Sequence, residues 1–221
     1  YEEALPLLRR ATTRAPRWAE AARALGEAEF VTGHASAALA AYTTAFDLDP
    51  QVGTAQDLAY FAEARASAGD LAGSVAALQE ALHRSPYLPG LHAKLGDLLR
   101  REGQLAAAYY ELVLEALVQG VQGPFSRPAI VMADEVVKQA GADSTQPARH
   151  ELLVMASGLA SLEAGQLRRT INQMTHVLRL SRANSCVPRL VLADAYLRGG
   201  AAAEARAQLQ AVLELVPEFV P

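Results

Sequence analysis

Residues 18–50 read WAEAARALGEAEFVTGHASAALAAYTTAFDLDP, and this stretch decides the fold. Leu25 and Phe30 lie on one face of a first predicted helix, which Gly33 breaks. Spacings of three and four residues then place the following side chains on one face of a second helix: Ala38, Leu39, Tyr42, Ala45 and Phe46. Pro50 cannot continue that helix. The stretch therefore predicts two helices joined by a tight turn.

Small residues within the same stretch predict that the two helices pack closely. Gly26 has no side chain, so a neighbouring helix can approach its backbone. On the second helix the small Ala38 and Ala45 share a face with the larger Tyr42 and Phe46. We therefore expect small residues where the paired helices cross and large residues between the crossings.

The helix-breaking glycines recur at a nearly constant spacing. Gly33, Gly69 and Gly103 are 36 and then 34 residues apart, and Gly165 and Gly200 are 35 apart. The segments that follow them are similar: GHASAALAAY, GDLAGSVAAL, GQLAAAYYEL, GQLRRTINQM and GAAAEARAQL. Recurrence at this period is the signature of a repeat architecture.

A closing proline recurs with the glycines. Pro16, Pro50 and Pro86 are 34 and then 36 residues apart, and Pro217 closes the last unit. A helix–turn–helix unit of this length, with these glycines, alanines and the closing proline, resembles a tetratricopeptide repeat. The resemblance implies an all-α fold, a right-handed α-solenoid of tetratricopeptide-type repeats.

The resemblance implies a single solenoid over residues 1–221. Its parts are the second half of a repeat (1–16), three repeats (17–50, 51–86 and 87–117), an insertion with one extra helix (118–146), and two more repeats (147–182 and 185–217). We expect about twelve helices, with Thr54 as an N-cap. Because residues 1–16 supply only half a repeat and no initiator methionine, we expect a piece of a larger bacterial protein.

The insertion is predicted from a failure of the repeat spacing. Gly103 and Gly165 are 62 residues apart, which is one repeat plus about 28 residues. The extra helix is predicted at 129–140, with Gly141 ending it. Turn-rich segments at 119–128 and 141–147 predict loops on either side.

Composition excludes several classes of function. The net charge of −4 and the pI of about 5.8 offer no electrostatic reason to bind nucleic acid. The longest apolar runs are too short to span a bilayer, so no membrane segment is expected. With only one cysteine, Cys186, no intramolecular disulfide can form, and the compartment of this soluble chain stays open between cytoplasm and periplasm.

Motifs that carry chemistry are absent from the sequence. It holds no GxxxxGK[ST], dinucleotide-binding, HExxH or GxSxG pattern. Cys186 could pair with His176 as nucleophile and base, but a packing residue is the favoured interpretation. The histidines are interpreted as surface or helix-end residues: His34, His83, His92, His150 and His176. We therefore predict no catalytic residue, no cofactor and no metal site.

The resemblance implies a concave groove lined by the first helix of each repeat, where a partner segment lies. The positions that it implies are Glu20, Arg23, Glu27 and Phe30, then Gln56, Tyr60 and Glu63, then Lys94, Asp97, Arg100 and Arg101, and after the insertion Leu159, Asp194 and Arg198. Several neighbouring groove positions after the insertion are apolar: Leu152, Met155, Leu162, Leu190 and Leu197. Either the extra helix folds back over this apolar part, or the part is an exposed patch that binds a partner.

These features favour a non-enzymatic protein–protein interaction module that holds a protein or peptide partner in the groove. The alternative is a structural spacer or self-assembly segment of a larger multi-domain protein, one with a catalytic or membrane domain elsewhere. In that case the chain would self-associate through its repeat ends.

Overall fold

A computed structural model describes residues 1–119, 126–142, 149–180 and 186–215. These residues form twelve α-helices and no strand, which confirms the expected all-α class. The helices are α1 (Leu5–Arg14), α2 (Ala19–Val31), α3 (Ala35–Leu48), α4 (Ala55–Ser67), α5 (Leu71–Arg84), α6 (Leu91–Arg101), α7 (Leu105–Gln119), α8 (Ser126–Ala142), α9 (Arg149–Glu163), α10 (Leu167–Leu180), α11 (Cys186–Arg198) and α12 (Ala202–Leu215). Residues 120–125 and 143–147 of the predicted loops, and Pro217, lie outside the described residues.

The turns between paired helices share one backbone structure. The five glycines predicted to break helices have φ between 71° and 86°, a region that side-chain-bearing residues rarely adopt: Gly33, Gly69, Gly103, Gly165 and Gly200. In the first turn the N–H of His34 donates to the carbonyl of Glu29 at 2.8 Å, and that of Gly33 to Phe30 at 2.9 Å. The other four turns repeat both bonds, so each is a Schellman motif. This confirms the predicted helix breaks.

Helix starts are set by side-chain caps where the sequence supplies them. Thr54 caps α4, as predicted: its Oγ1 accepts a hydrogen bond from the N–H of Asp57 at 3.2 Å. The carboxylate of Asp57 accepts from the N–H of Thr54 at 2.9 Å, which completes a capping box. Asp70 caps α5 by accepting from the N–H of Gly73 at 2.9 Å.

The chain divides into two compact units, Tyr1–Leu98 and Leu99–Pro221, with the boundary inside α6. In the first, which we call unit 1, α2 pairs with α3 and α4 with α5, while α1 packs on α2 and α3 on α4. Arg9 of α1 forms a 2.8 Å ion pair with the buried Glu29 of α2. An aromatic cluster in unit 1 consists of Tyr42, Phe46 and Phe61. The ring centroids of Phe46 and Phe61 are 5.1 Å apart. Gly26 lies against Tyr42, as its lack of a side chain predicts.

In the second, unit 2, α9 pairs with α10 and α11 with α12, and α10 packs on α11. The inserted helix α8 packs along α7 and also contacts α9. It is longer than predicted, because Ser126 to Pro128 form its first turn, where proline's missing N–H costs no hydrogen bond. Gly141 does not end this helix, which continues to Ala142.

Candidate partner-binding face

The first helices of the hairpins in unit 1, together with the start of α6, carry nine of the predicted partner-binding residues. We call this surface the unit 1 polar face: Glu20, Arg23, Glu27, Phe30, Gln56, Tyr60, Glu63, Lys94 and Asp97. Glu20 and Gln56 are exposed, and the other seven are half-buried. A half-buried side chain is held in place by its neighbours yet still presents surface to a partner.

Two aromatic side chains of this face meet between successive first helices. The rings of Phe30 on α2 and Tyr60 on α4 stack with centroids 4.6 Å apart and planes 23° apart. This offset stacking is a favourable geometry for aromatic pairs. The pair therefore forms a fixed apolar platform on an otherwise polar surface.

Arg23 links two helices through carboxylates on either side of it. Its Nη1 lies 3.1 Å from Oε2 of Glu27 on the same helix and 2.9 Å from Oδ1 of Asp57 on α4. Asp57 is buried and also accepts a hydrogen bond from the hydroxyl of Tyr42 at 3.3 Å. Burial, together with the neighbouring Asp57 carboxylate, raises the pKa of Tyr42 well above its usual range.

Asp57 is the residue of this network that the sequence reasoning missed. Only Thr54 was predicted as a cap, although a Thr-x-x-Asp spacing is itself a capping-box pattern. That spacing would have placed Asp57 in the first turn of α4. It would not have shown the pairing with Arg23, which lies 34 residues earlier.

Two further bonds fix charged groups of the face. Lys94 at the start of α6 forms an ion pair with Glu63 of α4. The hydroxyl of Tyr1 donates to Glu27 at 2.8 Å. The charged side chains are thus positioned by contacts between helices rather than extended freely into solvent.

The predicted site residues of unit 2 have different surroundings. Arg100 is half-buried, Arg101 is exposed, and Leu159 is half-buried on α9. Asp194 and Arg198 lie one turn apart on α11 and form a 2.8 Å ion pair at the surface. Such exposed pairs contribute little to stability.

The apolar groove positions predicted after the insertion lie mostly in the interior of unit 2. Leu152, Met155 and Leu162 have exposed fractions of 2%, 0% and 7%, so of the two alternatives these residues fit the covered one and not an exposed patch. Leu190 is half-buried, and only Leu197 is largely exposed. The reason is that α9 contacts α7, α8, α10 and α11, which leaves little of its apolar surface uncovered.

The reactive-residue hypothesis for Cys186 gains no support from the structure. Burial raises the pKa of its thiol, which lowers the thiolate fraction. His176, its candidate base, instead meets the ring of His150. In the described ranges no group of three or more His, Cys, Asp or Glu side chains could hold a metal ion. Nor is any helix in those ranges long and apolar enough to cross a membrane.

The sequence of this chain was compared with models of protein families and with curated proteins. A sequence model of the family described as tetratricopeptide repeat matches residues 1–52. Among curated proteins, no sequence matches.

Three solved structures illustrate the structural matches. The Cut9–Hcn1 structure of the APC/C is 18% identical over 99% of this chain and 37% of that chain, with a TM-score of 0.40. The tetratricopeptide-repeat domain of P58(IPK) is 16% identical over 89% of this chain and 50% of that one, with a TM-score of 0.46. MamA from Desulfovibrio magneticus RS-1 is 18% identical over 92% of this chain and 97% of that one, with a TM-score of 0.39. This chain thus spans 37% of the matched chain in the Cut9–Hcn1 structure.

The sequence match covers the half-repeat and the first full repeat, residues 1–52. The same kind of hairpin, with a Schellman turn at a positive-φ glycine, recurs in both units, and the turns are 34–36 residues apart on either side of the insertion. Residues 1–52 thus match the tetratricopeptide-repeat family, and the structure carries hairpins of the same kind beyond that stretch.

Proposed function

We propose that this chain is a non-enzymatic protein-interaction module and that the unit 1 polar face binds a polypeptide segment of a partner. Tetratricopeptide repeats are commonly protein-interaction scaffolds and are generally not catalytic. The functional site of such a module is a surface that binds a polypeptide, and it needs no reacting groups.

The observation that carries the proposal is the stacked pair of Phe30 and Tyr60. Both rings are half-buried, and they bridge α2 and α4 at a centroid distance of 4.6 Å. Aromatic side chains that are already held in place lose little freedom on binding, and they often supply most of the affinity of an interface. This pair is the natural anchor point for an apolar side chain of the partner.

The charges around the pair indicate what the partner segment carries. The acidic residues Glu20, Glu27, Glu63 and Asp97 outnumber the basic residues, Arg23 and Lys94. Both basic groups are also paired with carboxylates of this chain. Electrostatic complementarity therefore favours a basic segment with one apolar or aromatic anchor residue.

A peptide-display selection on the whole chain tests this proposal. We expect the selected peptides to combine an apolar anchor with flanking Lys or Arg. The combined Phe30→Ala and Tyr60→Ala variant should weaken their binding at least about tenfold, as expected for an aromatic anchor. Leu48→Ala is the matched control, because Leu48 is an exposed apolar side chain at the end of α3. Helicity measured by circular dichroism checks that both variants fold.

The possible results test the location of the binding site and the interaction function separately. Peptides that bind the double variant and the wild-type chain equally would move the site away from the unit 1 polar face. A selection that enriches no peptide would contradict the interaction function itself and favour a spacer or self-assembly segment.

A further inference from the structure

Two histidines of unit 2 meet across a helical hairpin. His150 lies at the start of α9 and His176 near the end of α10, 26 residues apart in the chain. Their Nε2 atoms face each other at 3.4 Å, and their rings are nearly perpendicular, with an interplanar angle of 78°. His150 is exposed and His176 half-buried, so the space beside both nitrogens is reachable from solvent.

The distance between the two nitrogens fits a shared metal ion. Two Zn–N bonds of about 2.05 Å at a tetrahedral angle place the nitrogens about 3.3 Å apart. Two neighbouring ligands of a square-planar ion with similar bonds would be only about 2.9 Å apart. At 3.4 Å the contact is also a hydrogen bond between the two rings, longer than the usual range of about 2.7–3.2 Å for N–H···O bonds.

We propose that His150 and His176 bind one Zn²⁺ through their Nε2 atoms. The described residues hold no group of three metal-ligating side chains, so among them these two histidines fill two of the four tetrahedral positions. Water or a donor atom of another molecule fills the other two. The site therefore binds zinc more weakly than a structural site with four protein ligands, and it keeps open positions.

Zinc titration of the tag-free whole chain tests the proposal. Calorimetry should show one zinc ion per wild-type chain, and zinc should raise the melting temperature because the site exists only in the folded state. His150→Ala and His176→Ala should each weaken zinc binding at least about tenfold and abolish the rise in melting temperature. His83→Ala is the matched control, since His83 is an exposed histidine of α5 in unit 1.

Three outcomes would overturn the proposal. One is a wild-type chain that binds no zinc, which leaves the pair as a contact between two rings. Another is zinc binding that survives in both single variants, which places the ion elsewhere. The third is binding of Cu²⁺ without Zn²⁺, which contradicts the tetrahedral geometry inferred from the distance. Because both histidine side chains reach solvent, neither alanine variant is expected to impair folding, and circular dichroism checks this.

Discussion

The ring of Tyr42 lies directly against the backbone of Gly26. A Cβ atom built on Gly26 would lie 2.8 Å from Cγ of that ring, closer than two carbon atoms can approach. Tyr42 is fully buried, and its hydroxyl donates to the buried carboxylate of Asp57. The ring therefore has no free space to move into.

Gly26→Ala should lower the free energy of unfolding by about 1–3 kcal/mol, the usual range for overpacking a core. In an unobstructed helix the same change raises stability by up to about 1 kcal/mol. Urea unfolding followed by circular dichroism measures the difference. Gly141→Ala on α8 is the control, because a Cβ there meets nothing within 4 Å, and it should leave stability equal or higher. A Gly26→Ala variant as stable as wild type would show that the helices separate at little cost.

Gly158→Ala tests the same contact in unit 2. A Cβ on Gly158 would lie 2.0 Å from Cε of Met174, the end of a flexible side chain. Methionine adapts its rotamer more readily than a tyrosine ring held by a hydrogen bond. We therefore expect a smaller loss than for Gly26→Ala, although Met174 is also fully buried. A larger loss in the same urea experiment would contradict this ranking.

Asp57→Ala should lower the free energy of unfolding by about 2–3 kcal/mol, because it removes a buried ionic partner and a helix cap together. It leaves Arg23 and Tyr42 without the carboxylate that they share, and it opens the capping box with Thr54. The loss is smaller than for a fully buried ion pair because the Arg23 side chain is 26% exposed to water. Glu27→Ala, which removes the half-exposed partner of the same Arg23, should cost less than about 1 kcal/mol. Equal losses in the two variants would refute this account of Asp57.

Alkaline titration should reveal two tyrosines, Tyr42 and Tyr109, that resist ionisation in the folded chain. Burial is the main reason that the pKa values of Tyr42 and Tyr109 are raised. A folded-state pKa above the unfolded value of about 10 adds stability that is fully present below pH 10 and is lost as pH rises above it. Absorbance of tyrosinate should therefore show that Tyr42 and Tyr109 ionise only with unfolding, and Tyr42→Phe should remove one of these two groups. Ionisation of Tyr42 and Tyr109 in a folded chain near pH 10 would contradict the assignment.

Much of the fold could be predicted from short stretches of sequence. Gly33 and its counterparts mark turns because the left-handed backbone of a Schellman motif favours glycine. Thr54 marks the start of α4 because its hydroxyl satisfies an N–H of the first turn. Both properties depend on residues within one turn of the position itself. A pattern of contiguous residues therefore contains the information that they need.

The sequence by itself determined the helices, their turns and the repeat period, since each depends on local backbone preferences. Only the tertiary structure decided which apolar helix faces are covered and which side chains meet. Met155 is buried because α9 contacts four other helices, of which the inserted α8 is one. The pairs Arg23 with Asp57 and His150 with His176 depend on how neighbouring helices pack. Packing brings together residues far apart in the chain, and the period of one helix does not encode it.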